Sequence, residues 1–411
     1  MDTAERVTER ADPPGTASRR AALRLLDAVL RKGLPLESAL DSAARDLERA
    51  DDRAFAHAIA AEALRRLADL DELIDRATKK RLPDDAKARF ALRIALVQAL
   101  ALDTPHHAAI STVLPLVDGG PRRLVHGVFS AIMHGKWTLP DVPTLPASVA
   151  ERWRGAWGEA AVAAAARLIA TPPPLDLGFP PGTPPDLEGV SLMPGHLRLA
   201  RGTAVAGLAG YGEGRWWVQD IAASLPARML GAGEGRTVLD LCAAPGGKTM
   251  QLAAAGWDVT ALDISESRLA RLSENLARTG LNAKIVVGDV MKWSPPAQVD
   301  AILLDAPCSA TGIYRRHPDV LHRVRPRAVA EMAEAQKAML ARAAGWLKPG
   351  GALVYSVCSL EREEGEAVSE DFQARRDDFV LEERERILPG LYEAEGGADS
   401  FFIARFVRRP E

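Results

Sequence analysis

Cysteine is scarce in this chain of 411 residues: only Cys242, Cys308 and Cys358 occur. Three thiols cannot build a paired disulfide framework, so a reducing compartment, the cytoplasm, is the expectation. Aromatic residues make up 5% of the chain, which argues against a broad platform for stacking nucleic-acid bases. Long apolar runs are also missing. The alanine-rich stretch ends at Arg167, and Arg93 and Gln98 interrupt another, so no membrane-spanning helix is expected. The first residues, MDTAERVTERADPPG, alternate in charge and lack an apolar core, so they do not read as a secretory signal.

What is present fits a folded enzyme-sized protein of two to three domains. Hydrophobic residues reach 47% and charged residues 26%, close to globular averages. The net charge of −3 averages unlike regions. From residue 361 onward 15 acidic side chains face 8 basic ones, so the remainder of the chain is mildly basic. Between Gly312 and Arg327 five arginines accompany a single acid, Asp319. A cluster of that kind can bind phosphate whatever the total charge.

Residues 1–17 read as a flexible polar tail. From Ser18, a plausible helix cap, to Trp137 the pattern is helical throughout: Ala22, Leu25, Leu26 and Val29 share one face, and Gly33 closes that helix. Residues 18–137 are therefore expected to form an all-α domain. Prolines crowd Thr138–Pro146, where a boundary is placed. Residues 138–215 hold a helix over 147–170, then an irregular segment, 171–189, with seven prolines.

From residue 216 onward the pattern becomes strand, loop, helix, repeated. TVLDL (237–241), DVTALD (258–263), AKIVVGD (283–289), VDAILLDAP (299–307) and GALVYSVCS (351–359) are short β-rich runs separated by helical stretches. FVLEE (379–383) and FFIARFV (401–407) suit a closing antiparallel pair. Such alternation predicts an α/β fold with a doubly wound, mainly parallel sheet, whose ligands sit beyond the carboxyl ends of the strands. Asp240, Asp263, Asp289, Asp305 and Cys358 fall at those ends, as an active-site rim would.

The loop DLCAAPGGKT (240–249) resembles a phosphate loop in its Gly-Lys-Thr ending, but residue 242 is cysteine where the phosphate motif needs glycine. What remains is a tight turn whose glycines let backbone N–H groups approach a ligand. Asp263 is placed to accept hydrogen bonds from ribose hydroxyls, and Asp289 to face an adenine edge. An adenosine-containing cofactor held without a phosphate clamp points to S-adenosylmethionine. DAPCSATG (305–312) then brings a carboxylate and a thiol to the fourth strand end, and YSVCS (355–359) brings a second thiol to the fifth. Metal binding is disfavoured, because no Cys-x-x-Cys occurs and the eight histidines are scattered. A thiolate beside a methyl donor suits methylation of a pyrimidine carbon, which becomes nucleophilic only after a thiolate adds to the neighbouring ring position.

Taken together, DLCAAPGGKT, LDIS (262–265), Gly288–Asp289, DAPCSATG with RRHPD (315–319), and YSVCS resemble the RNA cytosine-C5 methyltransferases of the RsmB/Sun type, over nearly the whole chain. The helical N-terminal domain is similar to the NusB-like RNA-binding domain of the bacterial 16S ribosomal-RNA branch. The resemblance implies a class I methyltransferase domain (216–411) preceded, in 138–215, by a linker helix and small RNA-contacting subdomain. It assigns the cofactor to Cys242, Ala243, Ala244, Pro245, Gly246, Gly247, Lys248, Asp263, Asp289 and Asp305. It makes Cys358 the nucleophile, Cys308 the cysteine that assists release, and Asp305 the group on the cytosine edge, which chemistry alone could not order. Arg315, Arg316 and Lys248 are the expected RNA contacts. The chain departs from the family at Val357, where threonine is common, and at Ser400, where glycine is usual. The expected partner is ribosomal RNA, free or in an assembly intermediate, bound by a monomer with no metal. A transfer-RNA methyltransferase is the rival within the class, and a non-catalytic assembly factor the rival outside it.

Overall fold

The computed structural model describes residues 12–182 and 184–410, which divide into two units. The first runs to Val149 and takes in His317–Arg323; the second holds Ala150–Arg316 and the chain from Val324 onward. The stretch 1–11 of the expected tail lies outside the described residues.

Helical periodicity produces the first unit: α1 (Thr16–Leu30), α2 (Leu36–Ala43), α3 (Ala50–Arg65), α4 (Leu67–Ala77), α5 (Lys87–Leu100), α6 (His106–Ser111) and α7 (Gly119–His134). Ala22, Leu25, Leu26 and Val29 of α1 are buried, as their spacing requires. The helix starts at Thr16, ahead of the expected cap, because Gly15 takes a left-handed turn and the Thr16 hydroxyl donates to Pro13 O at 2.7 Å. Ser18 is buried instead and donates to Asp52 Oδ1 at 3.2 Å. Helix α5 crosses the core and carries two buried cations. Arg89 donates to both oxygens of Asp75 at 2.7 and 2.9 Å, and Arg93 to both oxygens of Asp71 at 2.7 and 2.8 Å. Buried charge is tolerated only with such partners.

The returning stretch His317–Arg323, expected within the methyltransferase domain, packs with this helical unit. Leu36 N donates to Asp319 Oδ2 at 3.4 Å, and the His322 ring bonds the Leu64 carbonyl at 2.8 Å. Burial pushes that imidazole down to about 4, so at neutral pH the uncharged ring donates the bond.

Two sheets build the second unit. In the smaller, β1 (Leu175–Gly178) lies between β2 (His196–Leu199) and β3 (Trp217–Val218), all antiparallel. β1 falls inside the proline-rich segment expected to be irregular. A buried ion pair holds it: Asp176 accepts from Arg198 Nε and Nη2, both at 2.7 Å. Burial alone would raise that carboxyl, but Arg198 and His196 outweigh it and hold it at about 2.

The larger sheet contains β4 (Thr237–Leu241), β5 (Asp258–Asp263), β6 (Lys284–Val287), β7 (Val299–Asp305), β8 (Leu347–Val357), β9 (Phe379–Ile387) and β10 (Phe401–Arg408), ordered β6-β5-β4-β7-β8-β10-β9. The first five in that order run parallel, and β10 pairs antiparallel with both β8 and β9. This is the expected doubly wound α/β sheet with its closing pair. The strand order reverses at β4, so the crevice that can hold a ligand opens beyond the carboxyl ends of β4, β5 and β7. No described helix is long and apolar enough to cross a membrane.

Candidate active site

β4 delivers the chain into the turn 242–246. Cys242 adopts φ 62 and Gly246 φ 107, the left-handed region that favours glycine. At Gly246 a side chain is excluded twice over, since a Cβ there would meet Leu272 Cδ1 at 2.1 Å. Ala243 N donates to Leu262 O at 3.1 Å and Ala244 N to Asp263 Oδ2 at 3.1 Å, so the turn is pinned to the end of β5. The helix Gly247–Ala254 then starts with its amide groups toward the crevice.

A cavity of about 110 Å³ opens there, lined by Cys242, Asp263, Arg268 and Asp289, with apolar walls that include Pro307 and Met339. Asp263 is buried and accepts from Ala244 N, from Ser265 N at 2.9 Å and from Arg268 Nη2 at 2.7 Å. Three donors leave one lone pair of the carboxylate open. The Arg268 side chain is 53% exposed, so it is the partner a ligand can displace. Asp289 Oδ1 accepts from Met291 N at 2.8 Å. Burial, with Asp305 and Asp263 adding to it, pushes the Cys242 thiol up to about 12, and Cys242 therefore lines the cavity as a neutral wall. A larger cavity of about 600 Å³, beside Trp217 and Arg228, shares none of these residues.

Asp240 does not join the rim. It is fully buried beneath it, accepts from Thr249 Oγ1 at 2.5 Å, and burial pushes its carboxyl up to about 7. It braces the turn from inside the sheet.

The ends of β7 and β8 bring the reactive groups together. Asp305 Oδ2 accepts from Lys248 Nζ at 2.8 Å, and Oδ1 from Ser356 Oγ at 2.8 Å. Burial works against the charge on Lys248, but Asp305 outweighs it and raises the ammonium above its ordinary value. The ammonium also lies 5.3 Å from the centroid of the Phe401 ring. Val357, where the family commonly has threonine, packs into the core, while Ser356 supplies the hydroxyl to Asp305. Cys308 and Cys358 are free thiols with their sulfurs 3.5 Å apart. The contact with Cys358, followed by burial, raises the Cys308 thiol well above its ordinary value, so Cys308 keeps its proton. Gly312 brings the two thiol loops close: its N–H donates to Cys358 O at 3.0 Å, and a Cβ there would strike the Ser400 carbonyl at 2.1 Å.

One expected RNA contact is corrected by its surroundings. Arg315 is fully buried, donating to Asp220 Oδ2 at 2.9 Å, Asp399 Oδ1 at 3.0 Å and Gly396 O at 2.8 Å. A guanidinium enclosed by two carboxylates holds the fold and cannot reach a phosphate. Arg316 pairs with Asp399 yet leaves its side chain 40% exposed. Removing one partner of a buried ion pair costs about 3–5 kcal/mol. Arg315→Ala is therefore expected to lose stability of that order in urea denaturation, and an unchanged midpoint would contradict the assignment.

The model of the 16S rRNA methyltransferase RsmB/F family matches residues 227–407, and that of the NusB family residues 16–128. The chain is 31% identical to ribosomal RNA small subunit methyltransferase B of Klebsiella pneumoniae subsp. pneumoniae, covering 95% of this chain and 98% of the relative. The chain belongs to the RsmB/F family. The corresponding Xylella fastidiosa protein is 34% identical, over 96% of this chain and 98% of its own. Among solved structures, PH0851 matches with a TM-score of 0.73 at 22% identity, covering 97% of this chain and 100% of its own. NSun6 from Pyrococcus horikoshii matches with a TM-score of 0.53 at 20% identity, covering 65% and 99%. These two likenesses concern the fold.

As a member of the RsmB/F family the chain is an S-adenosylmethionine-dependent RNA methyltransferase. The crevice suits that cofactor: a tight glycine turn leading into a helix N-terminus, a carboxylate with an open lone pair, and apolar walls. The sequence alone did not reveal Ile264, Val290, Pro307 and Met339, which complete those walls. Ile264 and Val290 directly follow recognised acids and Pro307 precedes Cys308, whereas Met339 sits in the middle of a helix, Pro326–Ala344, with no local signal. Loss of charge-assisted hydrogen bonds costs about 1.5–3 kcal/mol, so Asp263→Ala is expected to weaken S-adenosylmethionine roughly 10- to 150-fold by calorimetry. An unchanged dissociation constant in the folded variant would remove Asp263 from the site.

Proposed function

We propose that this enzyme transfers a methyl group to C5 of a cytosine in small-subunit ribosomal RNA through a covalent adduct between Cys358 and C6 of the base. The observation that carries this reading is the pair of thiols 3.5 Å apart beside the Asp305–Lys248 ion pair. S-adenosylmethionine supplies the methyl group, held by the turn 242–248 with Asp263 and Asp289. Asp305 holds the N3/N4 edge of the cytosine, and Lys248 and Ser356 fix that carboxylate in place. The Cys358 sulfur adds to C6, which makes C5 electron-rich enough to take the methyl group. The C5 proton must then leave as the Cys358 sulfur is expelled. Cys308, whose sulfur lies 3.5 Å from that of Cys358, is the group placed to assist this release, the C5 proton passing to water.

Ribosomal RNA is preferred to transfer RNA because two relatives named for the small ribosomal subunit align over nearly their whole length, helical domain included. The reading places the enzyme in the cytoplasm, as a monomer acting on free RNA or on an assembly intermediate. Recognition rests on RNA shape, backbone charge and one extruded base rather than on stacking. Arg316 contributes one phosphate contact, so Arg316→Ala is expected to lower the magnitude of the log K versus log salt slope by about 0.7 on single-stranded RNA. Bisulfite sequencing of total RNA from cells with and without the protein tests the function. A 5-methylcytosine in small-subunit RNA that disappears with the protein is expected; loss confined to transfer RNA would move the assignment to the rival substrate.

A further inference from the structure

The residues that follow the two thiols, Ser309 and Ser359, point at one buried carboxylate that the reaction as proposed does not use. Glu364 Oε2 accepts from Ser309 Oγ and from Ser359 Oγ, each at 2.5 Å. Its Oε1 accepts from Ser309 N at 2.7 Å and from Gln336 Nε2 at 3.4 Å. The side chain is inaccessible to solvent, and the Tyr355 hydroxyl donates to the Glu364 carbonyl at 2.5 Å, anchoring its backbone to β8. Burial pushes the carboxyl up, and the bonds from Ser309 and Ser359 pull it back. Other bonds also join the two thiol loops: Gly312 N to Cys358 O at 3.0 Å, Ser309 Oγ with Ser359 Oγ at 3.2 Å, and Leu360 N to Thr311 Oγ1 at 3.0 Å. Glu364 bonds both residues that directly follow the cysteines and gathers their two hydroxyls on one oxygen.

We infer that Glu364 is a positioning residue, a buried clamp that joins the Cys308 and Cys358 loops and thereby sets the separation of their sulfurs. The inference rests on the covalent reading given above. Its physical basis is geometric: the reaction needs Cys358 in line with C6 and Cys308 within reach of the same adduct, and misplacement of about 1 Å can cost about 100-fold in rate. Without the carboxylate, the Ser309 amide and two hydroxyls lose their acceptor in a dry environment, and the loops must shift to satisfy them.

Glu364→Ala and Glu364→Gln in the full chain test this with two independent readouts. One is kcat and KM for methyl transfer to in-vitro-transcribed small-subunit ribosomal RNA. The other is the rate at which diamide links Cys308 to Cys358, the two thiols giving up their hydrogens as diamide is reduced to its hydrazine; mass spectrometry follows the linked peptide. Glu364→Ala is expected to lower kcat and the linking rate about 10-fold or more each. The RNA KM and the S-adenosylmethionine dissociation constant should stay within about twofold, and glutamine, which keeps one acceptor oxygen, should restore much of both rates. If Glu364→Ala leaves kcat and the linking rate as in the parent enzyme, the clamp is overturned. Should that variant fail to fold, the double variant Ser309→Ala/Ser359→Ala carries the same expectations and the same overturning result. Slower linking together with full methylation by Cys358→Ala would refute the covalent reading while leaving the clamp in place.

Discussion

Cys358→Ala is expected to reduce methyl transfer to RNA by roughly 10⁴-fold or more, to the background of the assay, because loss of a nucleophile removes the step on which the rest depends. The pyrimidine C5 is a poor nucleophile until a thiolate adds to C6, and among the described residues the sulfur 3.5 Å away belongs to Cys308, on a different loop. S-adenosylmethionine binding should survive, since Cys358 is absent from the cavity lined by Cys242, Asp263 and Asp289. The measurement is transfer of a labelled methyl group, with cofactor affinity by calorimetry as the control. Retained activity with normal cofactor binding would overturn the covalent mechanism.

The second large effect is a product that should accumulate. Cys308→Ala leaves attack and methylation possible but removes the group placed to help expel the Cys358 sulfur. RNA should therefore remain covalently attached, as a band that survives denaturing electrophoresis and depends on added S-adenosylmethionine. The double variant should neither transfer nor trap, because trapping requires the first bond. If Cys358→Ala gives the band and Cys308→Ala does not, the two roles are exchanged. Both thiols sit at adjacent strand ends with their sulfurs 3.5 Å apart, and the order given is the one the family resemblance implies.

Arg316 and Arg315 show how far a local cluster can be read. Five arginines in sixteen residues suggested a phosphate-binding surface, and the adjacent pair following the thiol loop looked equivalent. Their environments are not equivalent. One is enclosed by Asp220 and Asp399, residues about ninety positions away on either side, and the other keeps part of its guanidinium in solvent. Burial of a charge is decided by which distant carboxylates the fold brings to it, and no spacing rule within the cluster carries that information.

Elements whose signal is local were legible in the residues themselves. The 3.6-residue spacing of α1 and α5, the short β-rich runs of β4 to β8, and the acids at the ends of β5 and β7 follow from periodicity and from the preference of aspartate for turns. The order of motifs then sufficed to indicate the cofactor and the pair of thiols. Tertiary structure alone decided the remainder. It took Asp240 out of the rim and into the sheet, drew His317–Arg323 into the helical unit, made a strand of Leu175–Gly178, and aimed Glu364 at both Ser309 and Ser359. In each case a buried polar group finds its partner, near in the chain for Asp240 and Thr249 but distant for Ser309 and Glu364 or Leu36 and Asp319, and that choice is made by packing and desolvation.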